Sequence, residues 1–363
     1  MHIEKVLLEN YRIFRNREIE FGNGINLVFG KNSSGKTSLL ESIFFTFSGE
    51  ILNDFNPINY ESNSARVQIN FLSNEVYNQI TLILKSKENK VDKLLYLNEK
   101  RIETFKEIRE KFLCPFLMNT FDISFMEPEN KRNIIDRFLK ISDKEYGNLY
   151  YNFKRALRQK SNLLKRKVLE DNSIIESLDN KIAEYSAEIS YKRASILRSI
   201  LEDLNIVCRK IWKNIEQVRI IFSVAYGENI QIDQNMLTKQ QLKNHYLQAI
   251  KTYKREEIDK ERVLISSNRD NFEFLVVMAN KSYPIKNIFS QSQINMFTLI
   301  FFLSLIKKIR QIYGYYPVVL LDEPFVFLDQ TNTEKIIKVL NNYPQVIITS
   351  NRDIEIIKNR IRL

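Results

Sequence analysis

The chain carries the stretch Gly30-Lys31-Asn32-Ser33-Ser34-Gly35-Lys36-Thr37, which matches the phosphate-binding pattern G-x-x-x-x-G-K-[ST]. Its glycines let backbone N–H groups surround phosphate oxygens without side-chain obstruction. In this pattern Lys36 reaches the β- and γ-phosphates, and the Thr37 hydroxyl binds Mg²⁺. An apolar strand, Ile25–Phe29, precedes the loop, and a predicted helix, Ser38–Phe47, follows it. The sequence therefore predicts ATP and Mg²⁺ as cofactors.

Two acids downstream form a second element of the same kind. The apolar strand Val318–Leu321 ends in Asp322 and Glu323. Asp322 is predicted to hold the Mg²⁺ shell, and Glu323 to polarise the attacking water. A surface loop can begin in the same way, so the assignment depends on the pairing with the phosphate loop. Lys36 joins the two acids as a predicted catalytic residue, and Thr37 joins Asp322 as a predicted metal ligand.

The composition is that of a soluble globular chain. Its 363 residues are 44% hydrophobic and 27% charged, with only two histidines and two distant cysteines. The scarcity of histidine argues against His-based metal sites and Ser-His triads, and the isolated cysteines favour reduced thiols. No run approaches the roughly 20 apolar residues of a membrane span, and no signal peptide is evident, so we expect a cytoplasmic protein without a membrane partner. The net charge of +11 is compatible with nucleic acid as a partner, although a solvated lysine-rich surface gives the same charge.

The spacing of apolar residues divides the chain into three stretches. Residues 1–115 are predicted to be mainly strands around the phosphate loop. Residues 116–262 have helical periodicity, with heptad-spaced apolar residues from Leu178 to Ile200, and are predicted to form a compact helical arm with a helical hairpin. Residues 263–363 return to alternating strands and helices, including the apolar strand Val346–Thr349. We therefore predict an α/β fold in which residues 1–115 and 263–363 contain a parallel sheet and are interrupted by a helical arm, residues 116–262.

The wide separation of phosphate loop and acids resembles the structural-maintenance and DNA-repair branch of the ABC ATPases. The resemblance implies an α/β fold with an ABC-type ATPase head, which has a parallel-sheet core and an antiparallel β lobe, and an inserted α-helical arm domain. Those ATPases carry a signature loop, of the form LSGGE or SQGQ, that contacts the γ-phosphate bound by the other subunit. The stretch Phe289-Ser290-Gln291-Ser292-Gln293 lies in the corresponding position. The resemblance implies that Ser290 is catalytic and that Gln293 contacts nucleotide. Leu328-Asp329 fits the loop that crosses the dimer interface, which adds Asp329 to the nucleotide site.

An ordered set of further motifs resembles the RecF family over almost the whole chain. Leu8-Glu9-Asn10-Tyr11-Arg12 is similar to the opening motif L-x-N-F-R. Pro128–Leu139 resembles the helix start P-x-x-R-R-x-x-x-D, and Tyr151–Lys165 resembles the arm sequence of the family. Ser190-Tyr191-Lys192-Arg193 fits a later turn of that arm, and Ser266-Ser267-Asn268-Arg269-Asp270 stands where the family has G-P-H-R-D.

Several positions depart from the family pattern while keeping a polar side chain. Ser292 replaces the signature glycine, and Asn268 replaces a histidine. Asn119 lies where related ATPases have a Mg-sensing glutamine, and Asn351 lies where many have a switch histidine. We therefore expect ATP binding to be kept and hydrolysis to be weak. The predicted nucleotide-binding residues are Gly30, Lys31, Asn32, Ser33, Ser34, Gly35, Lys36, Thr37, Ser38, Arg12, Asn119, Gln293, Asp329 and Asn351.

The resemblance implies an ATP-dependent DNA-binding protein of recombinational repair and replication-gap maintenance. ATP would close a homodimer on double-stranded or gapped DNA, and RecO and RecR would be its partners in loading RecA. Two alternatives stay open. One is a RecF-like ATPase sensor of a defence or plasmid-maintenance system. The other is an ABC transporter cassette, against which the long spacer before the signature loop argues. Candidate phosphate contacts, which could equally be a solvated helix face, are Lys154, Arg155, Arg158, Lys165 and Arg166.

Overall fold

The structure is a computed structural model that describes residues 1–51, 56–87, 90–119, 122–166, 172–227, 229–232 and 237–363. These residues group into two compact units, one formed by Met1–Phe121 with Ile306–Leu363 and the other by Asp122–Leu305. The predicted division into a head of residues 1–115 and 263–363 and an arm of residues 116–262 stays a prediction.

The amino-terminal part of the first unit alternates strands with two helices. In chain order its elements are β1 (His2–Tyr11), β2 (Phe14–Glu20), β3 (Gly24–Phe29), α1 (Lys36–Ser48), β4 (Ser64–Ser73), β5 (Val76–Lys87), β6 (Lys90–Leu97), β7 (Lys100–Ile102), α2 (Phe105–Lys111) and β8 (Phe116–Met118).

The second unit is mainly helical and contains a small sheet. Its elements are α3 (Pro128–Ser142), α4 (Tyr146–Lys165), α5 (Asn172–Ile211), β9 (Gln217–Ser223), β10 (Asn229–Gln231), α6 (Lys239–Asp259), β11 (Asn271–Met278), β12 (Lys281–Pro284), α7 (Ile285–Ile288) and α8 (Gln291–Tyr313). The last residues of α8 belong to the first unit, as do the elements that follow it. These are β13 (Val319–Leu321), α9 (Gln330–Leu340), β14 (Gln345–Ser350) and β15 (Asn359–Arg362).

An antiparallel sheet of the first unit has the order β2-β1-β4-β5-β6-β7. In β4, Ala65, Val67, Ile69 and Phe71 are buried, while the residues between them are partly exposed. This alternation fixes the register, because a slip by one residue would turn the buried face toward solvent. The antiparallel lobe predicted from the sequence is confirmed.

A parallel sheet forms the core of the first unit, with the order β15-β3-β14-β13-β8. Every residue of β13 and β14 is buried, as expected for strands covered on both faces. The predicted parallel-sheet core is therefore confirmed. Phe116–Met118, assigned from the sequence to the start of the arm, is instead strand β8, which pairs with β13. Three buried residues are too few to show a strand period in the sequence.

The helical arm contains a hairpin of two helices, as predicted, and both helices are long. Lys160 of α4 contacts Asp179 of α5 at 2.5 Å, and Lys192 of α5 contacts Asp143, just before α4, also at 2.5 Å. The contact with the higher residue number in the α4 region has the lower residue number in α5, so α4 and α5 run antiparallel. Their connection, residues 167–171, lies outside the described residues.

The arm stretch is not entirely helical, which corrects the sequence analysis. Strand β9 lies inside residues 116–262 and pairs antiparallel with β11, in a sheet of order β10-β9-β11-β12. Val218, Ile220 and Phe222 alternate inward along β9. This seven-residue period-2 pattern is short, and the long helical periodicity around it obscured the strand.

Helix α8 qualifies the expectation that no apolar run is long enough to span a membrane. Among the described residues, it alone meets that criterion by length and composition. Yet 72% of its most apolar window is buried inside the protein. Such burial is typical of a core helix.

The second unit contains a fully buried ionic network around Arg193. The Arg193 guanidinium donates to both carboxylate oxygens of Asp136, at 2.7 and 2.8 Å, and lies 3.2 Å from the Asp270 carboxylate. The Tyr146 and Tyr246 hydroxyls donate to the same two acids, at 2.6 and 2.7 Å. Burial raises the pKa of Asp270, while Arg193 opposes that shift. The network therefore links α3, α4, α5 and α6 to the segment before β11.

We expect Arg193→Met to lower the free energy of unfolding by about 3–5 kcal/mol, because it leaves two buried acids without their counter-charge. Lys243→Met is the control, since its ion pair with Glu184 at 3.0 Å is partly exposed, and it should cost no more than about 1 kcal/mol. Urea denaturation followed by circular dichroism measures both. Equal midpoints for the two variants would contradict a stabilising role for the buried network.

Candidate nucleotide-binding site

The predicted site residues of the first unit gather at one edge of the parallel sheet. Phe29 aligns with Ser350 across β3 and β14, and Leu321 aligns with Met118 across β13 and β8. The carboxyl ends of parallel strands meet at the same edge, which is where α/β sheets bind ligands. The residues that directly follow these four strands are Gly30, Asn119, Asp322 and Asn351. The topology thus brings together sequence elements that are far apart in the chain.

The phosphate loop is already folded around its lysine. Lys36 is only 6% exposed, and its Nζ donates to the carbonyl oxygens of Gly30 and Lys31, both at 3.0 Å. Ser33 and Gly35 have φ angles of 66° and 96°, which turn the chain from β3 into α1. The loop therefore holds the amine at the amino end of α1, where a helix dipole favours a bound anion.

Gly35 is required by both its backbone and its surroundings. Its φ of +96° lies in a region that side chains disfavour. A Cβ at this position would also lie 2.4 Å from Phe14 Cζ and 2.8 Å from Ile13 Cδ1. Any residue with a side chain therefore requires the Phe14 and Ile13 side chains, or the loop itself, to shift.

The two predicted acids contact the phosphate loop directly. The Thr37 hydroxyl donates to Asp322 Oδ2 at 2.8 Å. Lys36 Nζ lies 3.3 Å from Glu323 Oε1. The backbone N–H of Asn351 donates to the other oxygen, Glu323 Oε2, at 3.1 Å. The structure therefore brings Lys36, Thr37 and both acids into one cluster, as the sequence pattern predicts.

The donor set at this cluster fits Mg²⁺. The Thr37 hydroxyl and Asp322 carboxylate supply hard oxygen ligands, which Mg²⁺ prefers together with phosphate oxygens and water. Within the described ranges, no group of three or more His, Cys, Asp or Glu could form a protein-only metal cage. Thr37 and Asp322 are the residues of this cluster that would hold a metal ion.

Arg12, implied by the resemblance, is held against the first turns of α1. Its guanidinium lies 3.5 Å from Ser38 Oγ and forms an ion pair with Glu41. The sequence analysis did not identify Glu41, which is only 4% exposed in α1. Glu41 is the one acid within Leu39–Phe47, and this was the signal in the sequence that could have identified it. A carboxylate buried in such a helix needs a partner of opposite charge.

Ser290 and Gln293, which are predicted to belong to the signature loop, cap helix α8. Gln293 Oε1 accepts the Ser290 backbone N–H at 2.9 Å, and the Gln293 N–H lies 3.4 Å from Ser290 Oγ. This reciprocal pair is a capping box at the start of α8, since Ser290 and Gln293 have the S-x-x-Q spacing. Contact of either residue with nucleotide stays a prediction.

Asp329 lies at the start of α9, whereas Asn119 directly follows strand β8. Asp329 caps α9, and its carboxylate accepts the Asn332 backbone N–H at 2.7 Å. Asn119 is exposed at the sheet edge, and its neighbour Met118 accepts the Asp322 backbone N–H at 2.9 Å. A nucleotide contact by Asp329, Asn119 or the Asn351 side chain stays a prediction.

We expect Gly35→Ala to destabilise the protein by about 1–3 kcal/mol, because a Cβ adds backbone strain and overlaps Phe14. Gly147→Ala is the matched control, since Gly147 lies in α4 and nothing stands within 4 Å of where its Cβ would be. That change should be neutral or stabilising by up to about 1 kcal/mol. Thermal unfolding measures both, and a Gly35→Ala protein as stable as wild type would refute the steric argument.

Comparison with known proteins places this geometry in a family. A family model described as an AAA domain matches residues 5–217, more than half of the chain. The DNA replication and repair protein RecF of Carboxydothermus hydrogenoformans is 28% identical over 363 residues, covering 98% of this chain and 96% of the relative. RecF of Oceanobacillus iheyensis is 25% identical over 358 residues, covering 96% and 93%.

Solved structures share the fold over the whole chain. The recombination mediator protein RecF-ATPrS in the RecFOR pathway superposes with a TM-score of 0.84 at 21% identity, covering 100% of this chain and 96% of that one. An SMC head bound to the C-winged helix domain of ScpA gives a TM-score of 0.55 at 16% identity, covering 97% and 90%. The predicted ABC-type head fold and RecF resemblance are confirmed. The chain therefore belongs to the AAA-domain family, as a divergent relative of the RecF proteins.

Proposed function

We propose that this protein binds Mg-ATP and acts as an ATP-dependent DNA-binding protein of DNA replication and repair. The observation that carries the proposal is the cluster of Lys36, Thr37, Asp322 and Glu323 at the sheet edge of a RecF-like fold. The RecF relatives, named for DNA replication and repair, support the biological role.

Nucleotide binding would rearrange the contacts of Lys36. In the structure, its amine donates hydrogen bonds to two loop carbonyls and lies beside the Glu323 carboxylate. A phosphate entering the loop would compete for that positive charge and for the N–H groups at the start of α1. Lys36 would then move its interaction from Glu323 toward phosphate, which leaves the carboxylate available to a water molecule.

Thr37 and Asp322 would hold Mg²⁺ beside the bound phosphates. The Thr37 oxygen can face the metal while its hydrogen still points to Asp322. Mg²⁺, when bound, would neutralise charge on the phosphate oxygens.

Slow hydrolysis is the second part of the proposal. Glu323 is the general base in this account, oriented by the Asn351 backbone N–H. Asn351 has no imidazole at the switch position, and Ser292 adds a side chain where the signature loop of related ATPases has glycine. Both changes weaken groups expected to act on the γ-phosphate, while the phosphate loop itself is intact.

ATP would act by closing a homodimer. The Ser290 hydroxyl is placed at the start of α8 and would reach the nucleotide of the partner subunit. Closure would gather a basic surface onto double-stranded or gapped DNA in the cytoplasm. The structural relative is assigned to the RecFOR pathway, which favours RecO and RecR as partners in RecA loading.

The basic side chains of α4 are candidate DNA contacts. Arg155, Arg158, Lys165 and Arg166 are exposed, whereas Lys154 is half-buried and lies over the Tyr150 ring. Burial lowers the pKa of Lys154, so it is less suited than the others to a phosphate contact. Contacts by exposed cations would be independent of base sequence.

Of the alternatives, a transporter cassette is disfavoured because the relatives and structures compared are RecF proteins and an SMC head. A sensor role in a defence or plasmid-maintenance system uses the same nucleotide site, and gene neighbourhood distinguishes it from repair.

The test is the lifetime of the protein on immobilised gapped DNA. We expect ATP with Mg²⁺ to lengthen it for wild type, to have no effect on Lys36→Ala, and to lengthen it further for Glu323→Gln, in which the ATP-bound state persists. Affinity should fall by about 10³–10⁵ between 50 and 200 mM salt if roughly 6–10 phosphates are contacted. A lifetime on DNA that does not change when ATP is added would contradict the proposal. A DNA affinity that does not change between 50 and 200 mM salt would also contradict it.

A further inference from the structure

Thr349 joins the two acids of the nucleotide site, although the phosphate-loop pattern assigns it no role. It lies in β14, next to β13, and is fully buried. Its hydroxyl donates to Asp322 Oδ1 at 2.6 Å and accepts the Glu323 backbone N–H at 2.9 Å. One hydroxyl has one hydrogen to give, so both of these bonds are made at once only in this direction.

The contact leaves Asp322 held on both sides. Thr37 donates to Oδ2 at 2.8 Å, and Thr349 donates to Oδ1 at 2.6 Å. The two hydroxyls therefore fix the rotation of the carboxylate plane. Without Thr349, the Thr37 hydroxyl would be the one side-chain donor to Asp322 among the described residues. Thr37 is itself a predicted metal ligand, and the ion would polarise its hydroxyl.

The same hydroxyl supports the backbone turn that orients Glu323. Glu323 has a φ of 55°, an unfavourable value for a residue with a side chain. The hydrogen bond from its N–H to Thr349 stabilises that turn. The turn directs the carboxylate toward Lys36, at 3.3 Å. The N–H···O–H···O⁻ chain from Glu323 through Thr349 to Asp322 is expected to be cooperative, because each bond polarises the next.

We propose that Thr349 is a positioning residue for the Mg-nucleotide site, which orients Asp322 toward the metal and Glu323 toward the water. This inference rests on the proposed binding of Mg-ATP. It requires only the hydroxyl, since the side chain is enclosed in the core and has no path to nucleotide. Residues that orient a metal ligand typically change metal affinity without contacting the ion.

The test compares variants that keep or remove the hydroxyl at nearly constant shape. Thr349→Val removes it and leaves Asp322 Oδ1 and the Glu323 N–H without their partner, whereas Thr349→Ser keeps it. Thr46→Val is the matched control, because Thr46 is equally buried in α1 and its hydroxyl donates only to the Ser42 carbonyl, at 2.7 Å.

ATP affinity is measured by fluorescence titration with Mg²⁺ and again in excess EDTA. We expect Thr349→Val to lose about 10–100-fold in affinity with Mg²⁺. In EDTA it should stay within about 2-fold of wild type, and Thr349→Ser should stay within about 3-fold in both buffers. A general packing defect would instead lower the affinity alike in both buffers, and Thr46→Val should leave both affinities unchanged.

The outcomes separate this inference from the function on which it rests. Equal Mg-ATP affinity for wild type and Thr349→Val, with wild type binding well, overturns the inference alone. An equal loss in Mg²⁺ and in EDTA overturns it as well. Failure of wild type to bind ATP refutes the proposed function and the inference with it. If Thr349→Val does not fold, the pair Thr349→Ala and Thr46→Ala replaces it with the same expected difference.

Discussion

The parallel pairing of β14 between β3 and β13 is the constraint on which the nucleotide site depends. It sets the carboxyl ends of these strands side by side, so that the phosphate loop after β3 meets the acids after β13. The consequence is visible in one hydrogen bond, between Thr37 and Asp322, whose residues lie at opposite ends of the chain. Because both β13 and β14 are buried on every residue, a change of register would cost hydrophobic burial as well as the site. The core of the first unit and its proposed chemistry therefore have the same structural origin.

Much of this site could be predicted because its residues carry local signals. The phosphate loop is a contiguous pattern, and Asp322-Glu323 directly follows an apolar strand. The heptad spacing from Leu178 to Ile200 likewise predicted a helical segment, although the helix that contains it, α5, is longer than the compact arm predicted. Its apolar positions Leu178, Ile182 and Ile200 are buried.

Other features depend on contacts that no local pattern encodes. Thr349 looks like an ordinary β-branched strand residue, and its hydrogen bonds exist only because β14 lies beside β13. The buried Glu41 is explained by its ion pair with Arg12, which lies outside α1 and far from Glu41 in the sequence. Strands β8 and β9 were missed because they are short and adjoin helical stretches. Ser290 and Gln293 fit two local patterns, a signature loop and a capping box. The structure shows the capping box, and the signature-loop contact with nucleotide stays a prediction.

The central claim is that the cluster at the sheet edge binds Mg-ATP through Lys36, Thr37 and Asp322. Isothermal titration of ATP into the nucleotide-free protein, with and without Mg²⁺, tests it most directly. We expect one saturable site per chain, with an affinity about tenfold or more higher with Mg²⁺ than without it. Absence of saturable binding, or an affinity that does not respond to Mg²⁺, would contradict it.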